Sequence, residues 1–203
     1  MSRVRTRPTR DETCEKLFEA AARVFEEQGI GGASIEAIAA AAGFSRGAFY
    51  SNFKSKDELI IAMLEDHVDR SIKRNRDLLE QHGNIEDFLE ALRNMERKQD
   101  PLGRAPLLHM EMILYVARAE KRRPELAKRL RALRKLIADI VETTLKNSGG
   151  PDAVNPAWTG AILLALEDGF RLHRLIDPET TPSDSFLRAV GDLRRALGII
   201  ATS

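Results

Sequence analysis

The chain has 203 residues, 43% hydrophobic and 31% charged, a globular balance with room for one large domain or two small ones. Its 32 basic and 31 acidic residues leave a net charge of +1, which excludes overall basicity as the source of any affinity for nucleic acid. One cysteine, Cys14, excludes a disulfide framework and a cysteine-based metal motif, and no apolar run reaches the ~18 residues of a membrane span.

In chain order, Arg3, Arg5, Arg7 and Arg10 stand without an acid among them. They read either as a solvated tail or as a basic arm for phosphates or a minor groove. No apolar core follows them, so they are not a signal peptide, and a cytoplasmic location is expected. Thr9 and Glu12 have capping-box spacing and open a first helix to about Gln28, with Leu17, Phe18, Ala21, Val24 and Phe25 as its stripe and Gly29 as its stop. Cys14 falls in that register and reads as a small buried hydrophobe.

Ser34 caps a short second helix with Ile35, Ile38, Ala39 and Ala42 at helical spacing, and Gly43 supplies the positive φ of a sharp stop. Ser45 caps a third element carrying Arg46, Tyr50 and Asn52 outward, while Phe49 and Phe53 read as core. Two short helices joined by a glycine-containing turn are the helix-turn-helix signature of a DNA reader.

Ser55 and Glu58 form another capping box, opening a long helix to about Gln81. Asn84 caps a fifth helix with Phe88, Leu89, Leu92 and Met95 on one face. Asp100-Pro101 and Ala105-Pro106 bracket an interruption. Leu107 to Ala119 is apolar nearly all round and therefore expected to be buried. Pro124 opens an amphipathic helix ending before Gly149-Gly150-Pro151. Asn155-Pro156 opens a helix over 157–176, and a last helix follows Thr181-Pro182, with Phe186, Val190, Leu193, Leu197 and Ile200 on one side. No β alternation and no repeat appears. The expected fold is all-α, about nine helices.

The run GFSRGAFYSNFKSKDEL, preceded by IEAIAAAAG and LFEAAARVFEEQG, closely resembles the N-terminal domain of the tetracycline-repressor (TetR) family of bacterial transcriptional regulators. The resemblance covers roughly residues 10 to 64; beyond, it is one of length and helical layout. It implies a three-helix DNA-binding domain over residues 1–55, with the basic arm, and a ligand-binding and dimerisation domain over 56–203. It further implies a ligand-responsive regulator, most commonly a repressor, that binds a pseudo-palindromic operator as a homodimer and is released by a small effector. Many relatives carry histidine where this chain has Asn52, so an amide stands in for that phosphate contact.

Carried over residue by residue, Arg46, Gly47 and Tyr50, with Ala48 beside them, match positions facing base edges or the nearest phosphates. Arg46 is the best candidate for base readout, because its fork suits guanine O6/N7. Ser34 and Ser45, at helix N-termini, can add hydroxyl and N–H donors to phosphate. Tyr50, Asn52, Lys54 and Lys56 look like phosphate contacts that set register. Helix-turn-helix proteins gain specificity by dimerising. The helices over 156–176 and 183–200 are the expected interface, since Gly160, Ala161, Ala165 and Gly169 admit a close partner and the former helix has more apolar surface than one core-facing stripe requires.

The effector pocket is expected among Phe88, Leu92, Met95, Met110, Tyr115, Trp158 and Phe170, which suit a hydrophobic or aromatic ligand, with His109, Glu111 and His173 orienting its polar groups. For any single member the competing reading is plain core. No HExxH, GxGxxG, P-loop or nucleophile elbow occurs, and His67, His82, His109 and His173 are scattered, so neither an enzyme nor a metal or other cofactor is expected. The alternative is a helical dimeric ligand- or protein-binding module that has kept the fold without sequence-specific DNA function.

Overall fold

A computed structural model describes residues 9–82, 84–94, 102, 105–121, 123–148 and 153–196. Nine helices with their bounds occur among them: α1 Arg10–Gly32, α2 Ile35–Ala41, α3 Arg46–Tyr50, α4 Lys56–Gln81, α5 Ile85–Asn94, α6 Pro106–Arg118, α7 Arg123–Ser148, α8 Pro156–Ile176 and α9 Ser185–Ala196. No strand occurs among the described residues, and no helix among them is long and apolar enough to cross a membrane. The chain divides into two compact units, Met1–His67 with Lys98–Arg123, and Val68–Arg97 with Pro124–Ser203.

The first unit is built on α1. Both halves of its capping box form: the Thr9 backbone N–H donates to Glu12 at 2.8 Å and the Glu12 N–H to the Thr9 hydroxyl at 3.2 Å. Gly29, at φ +70°, breaks the helical path where the sequence indicates, but one more turn carries the element to Gly32. Ala20 and Ala21 are fully buried, and small side chains here let α2 lie close, with Ile38 and Ala39 closing the contact. Gly43, at φ +74°, ends α2 in a Schellman motif: Phe44 N–H donates to Ala39 O at 2.8 Å and Gly43 N–H to Ala40 O at 3.0 Å. Phe49 is fully buried. Its ring lies 5.9 Å from Phe53, which lies 5.9 Å from Phe18, so α3 is anchored to α1 by one aromatic cluster.

Leu59, Ile60 and Leu64 of α4 and Leu108, Met112 and Val116 of α6 complete this core. The expectation that α6 is buried all round is corrected: Leu107 and Leu114 are 58% and 57% exposed. They stand seven residues apart on the face opposite the Leu108–Met112–Val116 stripe.

The second unit has a thinner core. Only Val68, Leu78, Phe88, Leu126 and Val190 are buried among its described large apolar residues, and none of them completely. Asn84 caps α5 through the Asp87 N–H (2.8 Å), and Asn155 caps α8 through the Trp158 N–H (2.9 Å). Gly160 is buried, and a Cβ placed on it would meet Ala138 N at 3.1 Å and Arg134 O at 3.3 Å. Its missing side chain therefore lets α8 close on α7 of the same chain, not on a partner. Gly169 has open space around its own Cβ position. Leu197 and Ile200, expected on the last helix, lie outside the described residues.

Candidate nucleic-acid interface

The two short helices of the first unit are fixed at their starts by serine. Ser34 accepts from the Ala37 N–H at 3.0 Å and Ser45 from the Ala48 N–H at 3.2 Å, and both residues stay exposed. On α3, Phe49 points into the core and Ala48 is half-buried, which turns Arg46, Gly47 and Tyr50 outward. A Cβ on Gly47 would meet nothing closer than Ser45 Oγ at 3.7 Å, so the fold itself does not require glycine there. Its use is the bare, exposed backbone it offers to an approaching surface.

Arg46 is ordered by its neighbours. One terminal nitrogen lies 3.0 Å from Glu36 on α2, the other donates to the Tyr50 hydroxyl at 3.5 Å, and the guanidinium carbon stands 5.5 Å from the Tyr50 ring. The hydrogen bond to Tyr50 and then the Glu36 charge hold its pKa above the ordinary arginine value. It is a permanent cation presented as a planar fork.

The remaining expected phosphate ligands differ in what they have left to offer. Lys54 is exposed, and its backbone N–H donates to Glu58 at 2.7 Å, leaving the ammonium to solvent. Asn52 is half-buried: its amide donates to Ala48 O at 2.9 Å, and its carbonyl accepts a weak bond from Cys14 Sγ at 3.8 Å. Cys14 is accordingly only partly enclosed, with desolvation raising its thiol pKa. Lys56 departs furthest from expectation. Its ammonium donates to Ile30 O at 2.6 Å and Ala33 O at 2.9 Å, so it ties the end of α1 to the start of α4.

The residues expected around an effector fall into both units. In the first, Tyr115 donates its hydroxyl to Asp57 at 2.7 Å, and this bond, with burial, raises its pKa. His109 is buried with its ring 4.4 Å from that of His67; Met110 is half-buried. Glu111 is exposed. In the second, Phe88 is buried and Leu92 and Phe170 are half-buried, whereas Met95 lies outside the described residues. Trp158 and His173 do not line the interior of this chain: Trp158 is 69% exposed and His173 is exposed. The reason is angular. With Gly160 facing α7, residues 158 and 173 sit about 160° and 220° around the helix at about 100° per residue, and so face outward.

Three juxtapositions escape sequence reasoning: Glu36 with Arg46, His67 with His109, and Asp57 with Tyr115. Each joins two helices, and periodicity within one helix carries no signal for them. Among the described residues no group of three His, Cys, Asp or Glu could hold a metal.

Comparison with known proteins matches this layout. The model of a family described as bacterial regulatory proteins, tetR family, matches residues 17–63, and one described as tetracyclin repressor-like, C-terminal domain, matches residues 83–197. The HTH-type transcriptional regulator YerO of Bacillus subtilis (strain 168) is 31% identical over 70 residues, 34% of this chain. That match spans only 24% of the length of YerO. UidR of Escherichia coli (strain K12), also an HTH-type transcriptional regulator, is 25% identical over 162 residues, 77% of this chain and 79% of that protein. A solved TetR-family structure from Rhodococcus sp. shares the fold with a TM-score of 0.73 at 23% identity, covering 92% of this chain and 99% of the other.

Proposed function

Because the chain belongs to the tetR family of bacterial regulatory proteins, we propose that it is a ligand-responsive transcriptional repressor acting in the cytoplasm. It binds a pseudo-palindromic operator as a homodimer and leaves it when a small, largely hydrophobic effector binds. The observation that carries this reading is the exposed trio Arg46, Gly47 and Tyr50 on a helix anchored from behind by Phe49. Arg46 reads a guanine edge through its fork, a contact worth about 1–3 kcal/mol of discrimination. Tyr50 and Lys54, with the second amide N–H of Asn52, contact phosphates and set register. The cap hydroxyls of Ser34 and Ser45 border the same surface, next to Ala48. Lys56 acts behind it, on the protein.

The dimer is supported by the surface of α8. Trp158, Ile162, Leu172 and Ile176 are exposed, and with Ala165 and Gly169 they repeat at alternating spacings of four and three along one face. Leu193 on α9 is 43% exposed. An apolar ridge of that length beside so thin a core is covered by the same helices of a second copy, α8 and α9 from each subunit forming a four-helix bundle. Two reading helices are then held about 34–36 Å apart, or a multiple of it, on one side of the duplex.

The effector is placed by this reading among Phe88, Leu92 and Phe170 of the second unit, a lining suited to an apolar or aromatic molecule. It acts through α4, which begins directly after the reading helix, so a shift of α4 changes the spacing of the two readers. Taking the population from 1:99 to 99:1 requires the effector to favour one state by about 5.5 kcal/mol. The test is selection of genomic fragments by the purified protein at physiological salt, followed by footprinting. Protection of a pseudo-palindrome, abolished by Tyr50→Ala with the dimer intact, is the expected result. No enrichment over random DNA, or full affinity in Tyr50→Ala, overturns it.

A further inference from the structure

Folding does not require the contact between Glu36 and Arg46. Both side chains are more than half exposed, at 55% and 63%, and a pair so open to water adds little to stability. An acid in the first turn of α2 suits the positive end of that helix wherever its carboxylate points. Here the carboxylate crosses to α3 and takes the reading arginine at 3.0 Å, while Tyr50 supports the other side of the same guanidinium at 3.5 Å.

We propose that Glu36 is a specificity-determining positioning residue: it holds the Arg46 fork in its reading orientation and keeps it off the phosphate backbone. The inference rests on the DNA-binding reading above and concerns discrimination at that same surface. Non-specific binding is driven by cations neutralising phosphates, and a free arginine swings to the nearest one. Held by Glu36, Arg46 reaches a phosphate only by drawing that anion up beside the carboxylate or by leaving the carboxylate facing the backbone, and either way two like charges are brought together. On a matched guanine nothing need be released. Arginine has five N–H donors, so two can meet O6 and N7 while a third stays with the carboxylate. Glu36 therefore lowers affinity for unrelated DNA more than affinity for the operator.

The test compares wild type with Glu36→Gln on the selected operator and on an unrelated duplex of equal length, across a salt series. The expected result is about three- to five-fold tighter binding of the unrelated duplex. Its log K against log salt slope should steepen by about 0.9 per subunit, because Arg46 now neutralises a phosphate. Operator affinity should change by less than about twofold, so that the specificity ratio falls. In an Arg46→Ala background Glu36→Gln should leave the unrelated-duplex slope unchanged. A gain of equal size in that background would mean that the carboxylate only repels DNA and does not position Arg46, and an unchanged specificity ratio would also overturn the proposal. The two failures are distinguishable: no operator at all overturns the regulator reading and the specificity role with it, whereas an operator found together with an unrelated duplex bound no tighter and no more steeply by Glu36→Gln overturns the holding of Arg46 alone.

Discussion

Lys56→Met keeps the length and apolar stem of Lys56 and removes the ammonium that Ile30 O and Ala33 O accept from at 2.6 and 2.9 Å. Hydrogen bonds to a charged donor contribute about 1.5–3 kcal/mol each when enclosed. Lys56 is half-buried and the abandoned carbonyls regain some water, so the two together are expected to cost about 2 kcal/mol. For a chain of this size that is a fall in Tm of about 4–8 °C. The effect on DNA separates the structural role from a phosphate contact. A lysine that ties α1 to α4 leaves the salt slope of operator binding unchanged, whereas one that neutralises a phosphate lowers it by about 0.9 per subunit when removed. Thermal unfolding followed by circular dichroism, with affinity measured at four or five salt concentrations, gives both numbers. Unchanged stability with a shallower slope would refute the structural assignment and return Lys56 to the DNA surface.

Gly160→Ala should destabilise by about 1 kcal/mol: its Cβ meets the backbone of Ala138 at 3.1 Å and of Arg134 at 3.3 Å, so α7 has to shift to admit it, and the strain of about 1–3 kcal/mol outweighs the helix-propensity gain of about 0.5–1 kcal/mol. Gly169→Ala should instead be neutral or stabilising at protein concentrations where the chain is monomeric, since that site is open; equal losses of Tm for the two variants would count against the packing described for α8. Tyr115→Phe removes the hydroxyl that ties α6 to Asp57 at the first turn of α4, and hydrogen exchange at the amides of residues 57–60 should quicken several-fold, about 1 kcal/mol of protection; unaltered exchange would mean that the bond restrains nothing. Arg194 holds the Glu86 carboxyl below the ordinary carboxylate range, chiefly by donating a hydrogen bond to it. A lowered acid pKa stabilises the fold above the unfolded value and loses that contribution as pH falls through the folded one, so Glu86→Gln should flatten the Tm profile below about pH 4.3; parallel wild-type and variant profiles would show the pair to be inert.

Much of the architecture is decided by local rules that any reader of the sequence can apply. Thr9, Ser34, Ser45, Asn84 and Asn155 cap the helices they precede, because a side-chain oxygen one residue before a helix has few better partners than its first free N–H groups. Gly43 ends α2 because only a residue that tolerates positive φ can close a Schellman turn. The outward face of α3 was legible for the same reason, since burying Phe49 leaves Arg46, Gly47 and Tyr50 no other side.

What the tertiary structure alone decided is which groups from different helices meet. Lys54 and Lys56 are two residues apart and chemically identical, yet one ammonium reaches solvent and the other two carbonyls at the end of α1, because only the second starts a helix packed beside that end. Gly160 and Gly169 look alike in the sequence of α8, and only the position of α7 makes one a packing device and leaves the other on an open ridge. Glu36 finds Arg46 and His109 finds His67 across helices whose periodicities are independent of each other. Helical spacing specifies a direction around one axis; which side chain stands in that direction depends on how the axes are brought together.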